Sequence, residues 1–174
     1  MRLLIAFFLI TYSVFAAAGP GPFGFQIDKS KYENIKTRYA LTFTETLDVA
    51  NITYTAYTID VKALDLKGLH NGTLYFEKKT GLLKCVLLNV DAGRYAAFQD
   101  ILAEKYRTID RTRNVLNDKY AIFEKDNTII KLDAPVLSRL MRLIYINKDI
   151  YNTLNRDDTK KQKQQQKKEE AKKL

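Results

Sequence analysis

From Leu41 the hydrophobic pattern takes a period of two. Ile52, Tyr54 and Ala56 take one side and Thr53, Thr55 and Tyr57 the other, in a run rich in Thr, Tyr, Ile and Val. That period predicts β-strands, because successive side chains of an extended chain point to opposite faces. Asn71-Gly72 reads as a turn, since both residues tolerate positive φ, ahead of a strand over 73–77. Lys78-Lys79-Thr80-Gly81 then turns the chain into a strand over 82–90, and the three strands form an antiparallel meander. Within the last of them Cys85 falls in step with Leu83 and Leu87, which predicts a small hydrophobe on the core face. Farther on, strands over 120–124 and 128–133 flank Lys125-Asp126-Asn127, a hairpin tip. After Pro135, Leu140, Arg142, Ile144 and Ile146 alternate with Met141, Leu143 and Tyr145, a further strand.

Two segments follow a longer period. Ser30-Lys31-Tyr32-Glu33 matches the S-x-x-E capping box, in which the hydroxyl and the carboxylate satisfy backbone donors of a first helical turn. It predicts a helix over 31–39 with Ile35 and Tyr39 on the buried side. Phe98, Ile101, Leu102, Tyr106 and Ile109 fall at helical spacings, opposite Asp100, Glu104 and Lys105, and predict a second helix. Phe23-Gly24-Phe25 reads as a short opening strand. The expected class is α+β, an antiparallel sheet with two packed helices. Twice a helix precedes three strands, the order a tandem α-β-β-β arrangement would leave, with no residue-level repeat to support it.

The two ends differ from this body. Met1-Arg2 supplies charge, residues 3–15 are almost wholly apolar, and Ala16-Ala17-Ala18 offers small residues before Gly19, so 1–18 reads as a secretory signal peptide. The apolar run is too short for the roughly 20 residues a membrane-spanning helix needs, and no later segment reaches that length. The mature chain is expected to be exported, periplasmic or secreted, with a domain over 19–156. Beyond it, 157–174 is a Lys/Gln/Glu-rich low-complexity tail without an apolar stripe. Lys, Gln and Glu favour helix, but nothing in the tail docks one onto the domain.

Composition narrows the chemistry. The 174 residues carry a formal net charge of +9, one Cys, one His and no Trp. A multi-bridge disulfide scaffold and a zinc site built on Cys pairs are excluded. Once the leader is set aside only Ser30 and Ser138 remain as serines, with no G-x-S-x-G around either, which speaks against a serine triad. Neither a Walker loop nor H-E-x-x-H nor G-x-G-x-x-G occurs, so no catalytic residue, cofactor or metal ligand is assigned. Asp and Glu are scattered, which leaves a hydrolase working through an Asp/Glu pair as the alternative reading. Asn51-Ile52-Thr53 and Asn71-Gly72-Thr73 are glycosylation sequons, relevant only in a eukaryotic secretory pathway. Lys105, Arg107, Arg111 and Arg113 form the densest basic cluster of the body and are the candidate anion-binding face.

Pro22-Phe23-Gly24-Phe25, the helix end Leu102-Ala103-Glu104-Lys105-Tyr106, and Ile130-Lys131-Leu132 followed by Leu143-Ile144-Tyr145 together resemble a family of small exported bacterial domains of unknown function. Its members open on P-F-G-F, end a helix on L-x-x-K-Y-G, and close on I-x-L…L-x-Y with a Lys-rich tail. Here Asp28-Lys29, Arg107 and Phe123 stand where that family has Gly-Met, Gly and Trp. The resemblance covers most of the mature chain and implies an α+β fold and export, with no catalytic residues. The expected function is therefore non-enzymatic binding of another envelope component, either a protein or an anionic polymer. Nucleic acid is not expected, because an aromatic-basic recognition motif is lacking. Oligomeric state is not legible.

Overall fold

The computed structural model describes residues 20–112 and 118–156. The leader, Arg113 and the tail lie outside the described residues. Eight strands form one antiparallel sheet: β1 (Leu41–Val49), β2 (Ile52–Ile59), β3 (Leu69–Glu77), β4 (Leu83–Asp91), β5 (Arg107–Arg111), β6 (Lys119–Lys125), β7 (Thr128–Ala134) and β8 (Leu140–Asn147). Their order is β1-β2-β3-β4-β8-β7-β6-β5, so β4 and β8 meet at the centre and β1 and β5 are the edges. Helices α1 (Tyr32–Lys36) and α2 (Tyr95–Lys105) each precede one four-stranded meander. A third helix, α3, runs over 148–156. The fold is thus mainly sheet, with a few helices.

Each helix leads four strands rather than the expected three. β1 was hidden because it joins β2 through only two residues, Ala50 and Asn51, both with positive φ and neither a glycine. β5 was hidden because its residues continue the spacing of α2. The helix ends at Lys105, and Tyr106 is already extended at φ −134° and ψ 150°. Ile109 therefore lies on an exposed edge strand, and α2 buries Tyr95, Phe98 and Leu102 instead.

The main core forms on one face of the sheet. Leu74, Phe76, Leu83, Val86, Leu88, Phe123, Ile130, Leu132 and Met141 are almost fully buried there, beneath Ile35 of α1 and Phe98 and Leu102 of α2. Gly72 sits in the middle of β3, not in a turn. A Cβ at that position would lie 2.9 Å from Ile59 Cγ2 and 3.1 Å from Leu88 Cδ2, so the missing side chain is what lets β2 and β4 side chains close over the strand. The turn before β3 falls at Gly68, φ 76°. Lys125–Thr128 pairing confirms the hairpin tip around Asp126, whose φ is 52°.

Three further expectations change. Pro22–Gly24 is a 3₁₀ turn with Phe23 at φ 58° and Gly24 at φ 77°, a geometry no strand allows. Ser30 does not cap α1. Its hydroxyl accepts from the Gln26 N–H at 2.9 Å, Lys31 precedes the helix with no side-chain cap, and Glu33 pairs with Lys36. The helix is short because its neighbours are tied to the β3–β4 hairpin: the Tyr32 N–H donates to Gly81 O (2.9 Å) and the Leu83 N–H to Ser30 O (2.8 Å).

Cys85 lies on the face opposite the core. Tyr75 pairs with Cys85 and Phe76 with Leu83, so Lys84 is an extra residue on β4. That bulge breaks the alternation and puts Leu83 with Val86, while Cys85 joins Leu87 on the other side. There Ile150 and Leu154 of α3 face Leu47, Tyr54, Tyr75 and Cys85. Asn147 starts α3, its side-chain oxygen accepting from the Asp149 and Ile150 N–H groups at 2.9 and 3.1 Å.

Candidate functional site

The basic candidates within the described residues do not share a face. Lys105 ends α2. Arg107 pairs with Glu124 across β5–β6, and Arg111 stands opposite Ala121. Between them the register slips at Ile109, where Thr108 pairs with Phe123 and Asp110 with Ile122. Four residues apart on a regular strand would mean one side; with the bulge, Arg107 and Arg111 point to opposite sides of the sheet. Arg107 and Lys148 both hydrogen-bond the Glu124 carboxylate, fixing the start of α3 to β6. The Lys148 hydrogen bond, helped by Arg107 against the cost of burial, holds the Glu124 carboxyl below its usual value. Arg107 is thereby committed to a structural pair, and Arg113 lies outside the described residues.

The reactive side chains are spoken for. Ser30 closes its turn, and the Ser138 hydroxyl donates to Leu140 O at 2.6 Å. His70 Nε2 lies 2.6 Å from Asp91 Oδ1 on the exposed end of β3. Burial pushes the Cys85 thiol up to about 12, which keeps it protonated at neutral pH and poor as a nucleophile. Among the described residues no group of three or more His, Cys, Asp or Glu is placed to hold a metal ion. No described helix is long and apolar enough to cross a membrane.

A groove opens instead between α1 and the first three strands, with a volume of about 470 Å³. Its floor is a contiguous set of rings. Tyr32 of α1 lies 4.7 Å from Tyr57 and 5.5 Å from Phe76, centroid to centroid, and Tyr57 lies 6.0 Å from Phe76. Phe43 on the edge strand extends the row, 6.1 Å from Tyr57 and nearly perpendicular to it. The strand register places Phe43 directly opposite Tyr57, and the α1–hairpin hydrogen bonds bring Tyr32 down onto Tyr57 and Phe76. Phe76 is buried at 2% exposure, whereas Phe43 is 59% exposed. A large ring left that open on an edge strand forgoes most of its own burial energy.

Polar groups surround the rings. Thr46 and Thr55, paired across β1–β2, supply hydroxyls, and Lys31 and Lys78 line the rim. Two carboxylates also line it, and both are engaged. Glu33 pairs with Lys36 at 2.8 Å; Glu77 accepts from the Thr80 hydroxyl at 2.9 Å and lies 3.5 Å from Lys84. Among the described residues neither Lys31 nor Lys78 has a carboxylate within ion-pair distance. Burial, with the Tyr32 hydrogen bond behind it, raises the Tyr57 phenol, so its hydroxyl stays a neutral hydrogen-bonding group.

A second cavity of about 250 Å³ lies under α3 and is lined almost entirely by apolar side chains. Lys84 stands at its margin, held by Asp28 at 2.8 Å. Burial lowers the Lys84 ammonium, but the Asp28 hydrogen bond and the charges of Asp28 and Glu77 outweigh it and leave the pKa raised. Asp28 also accepts from Asn147 Nδ2 at 2.7 Å, so this polar knot joins the segment before α1, β4 and the start of α3.

Sequence reasoning missed the groove. Phe43, Tyr57 and Tyr32 are unremarkable as separate aromatics, and only the β1–β2 register and the docking of α1 gather them. The one available signal was the concentration of Phe and Tyr on two neighbouring strands. Comparison of the chain with protein-family models, with curated proteins and with solved structures gives no match.

Proposed function

We propose that this chain is an exported, non-enzymatic binding domain that engages an anionic polymer of the cell envelope through the groove between α1 and β1–β3. The observation that carries the reading is the exposed aromatic row ending in Phe43, flanked by two lysines that have no acidic partner among the described residues. Rings give an apolar surface with defined orientation, and unpaired ammonium groups at the rim attract negative charge. The net charge, +9 for the whole chain and +8 once Arg2 leaves with the leader, adds a long-range bias in the same direction. Export rests on the leader over 1–18 and on the resemblance to small exported bacterial domains.

The groove, rather than the Lys105–Arg113 cluster, is taken as the binding surface because its two lysines stand beside an exposed aromatic row, whereas Arg107 is paired with Glu124 and Arg111 points to the other side of the sheet. A hydrolase reading is not favoured there: Glu33 and Glu77 each face a lysine, an arrangement suited to structural pairing and not to an acid and base sharing a proton-transfer task. The test is retention of the purified mature domain on an immobilised envelope polysaccharide fraction. Wild-type protein is expected to be retained and to elute with salt, while Phe43→Ala passes through. Equal retention of both proteins would overturn the groove as the binding surface. For location, the protein isolated from the periplasm or medium is expected to begin at Gly19; recovery from the cytosol beginning at Met1 would overturn export.

A further inference from the structure

Resting on that reading, we infer that the groove recognises a saccharide whose rings carry negative charge, rather than a linear anionic chain such as polyphosphate or an acidic peptide. A pyranose ring has one face of weakly positive C–H bonds and an equatorial belt of hydroxyls. The C–H face packs against the negative π-face of an aromatic ring, and the belt needs donors and acceptors at its edge. The groove offers both in the right relation. Phe43 and Tyr57 present ring surface, and the Thr46 and Thr55 hydroxyls stand beside them on the same side of β1 and β2. Phe43 and Tyr57 are set at 78° to each other, so the exposed part of the platform has a wall as well as a floor, which fits a thick ring better than a slender peptide or phosphate chain.

Charge selects among saccharides. Glu33 pairs with Lys36 and Glu77 shares Lys84 with Asp28, whereas Lys31 and Lys78 are not paired among the described residues. The rim therefore offers a ligand two ammonium groups without an acidic partner among the described residues, and a neutral glycan would leave both so. A carboxylate or sulfate on the ring supplies one. At about 470 Å³ the groove has room for a sugar ring with its substituents.

The test is calorimetric titration of the mature domain with four probes: a hexamer of galacturonic acid, an uncharged glucose hexamer, polyglutamate and polyphosphate of matched charge. The variants are Phe43→Ala and the double variant Lys31→Gln/Lys78→Gln, each checked for an unchanged circular dichroism spectrum. The expected result is binding of the galacturonate hexamer, weakened at least tenfold in both variants and at least tenfold for the uncharged hexamer. Binding of polyglutamate or polyphosphate as tight as that of the galacturonate hexamer would overturn the preference for sugar rings. Binding of no probe, while Phe43-dependent retention on envelope polysaccharide persists, would overturn this ligand class and leave the proposed groove intact. If that retention is also lost, the groove reading falls with it.

Discussion

Replacing Phe43 by Ala separates a ring kept for a ligand from a ring kept for stability. Phe43 is 59% exposed, so less than half of its surface is removed from water on folding. Fully burying a Phe side chain is worth about 1.5–3 kcal/mol, which scales to roughly 1 kcal/mol here. The edge contact with Tyr57 adds about 0.5–1 kcal/mol. The substitution is therefore expected to lower stability by about 1–2 kcal/mol. The comparison variant is Phe123→Ala, where the ring has no exposure and its removal leaves a cavity against Ile130 and Leu132. That variant should cost about 3–5 kcal/mol. Urea unfolding followed by circular dichroism measures both, with unchanged m-values showing that the loss is one of folded-state stability. If Phe43→Ala costs as much as Phe123→Ala, the ring is part of the core, and the reasoning that it is held open for a partner fails.

Four other perturbations follow from the structure. Cys85 should resist a disulfide-exchange reagent in the folded protein and react at once in denaturant, because its thiol sits near pKa 12; prompt native labelling would contradict its placement under α3. Gly72→Ala should destabilise by about 1–2 kcal/mol in thermal or urea unfolding, since overpacking against the buried Ile59 and Leu88 outweighs the chain-entropy gain of about 0.4–1 kcal/mol. Asn147→Ala should cost about 1 kcal/mol through loss of the α3 cap, seen in the same unfolding experiments. Glu124→Gln tests a pH dependence: the folded-state pKa of Glu124 lies below the ordinary 4.5, so its contribution is present above that value and is lost as pH falls through the lowered one. The stability gap between wild type and Glu124→Gln should therefore be full at neutral pH and close in acid; a gap that widens as pH falls would contradict the pairing with Lys148 and Arg107.

The parts of the fold that read clearly from sequence are those set by neighbours along the chain. The β6–β7 hairpin announces itself through two alternating runs around Asp126-Asn127, and β8 through an uninterrupted alternation from Leu140. What failed depended on partners far away in sequence. Lys84 and Ile109 look like ordinary strand or helix positions, yet each becomes a bulge because the neighbouring strand's register leaves it unpaired, and each bulge moves a candidate residue to the other side of the sheet. Cys85 and Arg111 were misplaced for that reason. Asn71-Gly72 has a turn's composition, but the side chains of Ile59 and Leu88 closing over the strand need the glycine's lack of a side chain more than any turn does. The groove was invisible for the same cause: its rings come from α1, β1, β2 and β3, and no local pattern joins them.

The most direct test follows backbone amide chemical shifts of isotope-labelled mature domain titrated with an anionic envelope polysaccharide. The groove account predicts that the first and largest shifts fall at Tyr32, Phe43, Thr55, Tyr57 and Lys78. Shifts centred on Arg107–Arg111 of β5, with the groove unmoved, would contradict it.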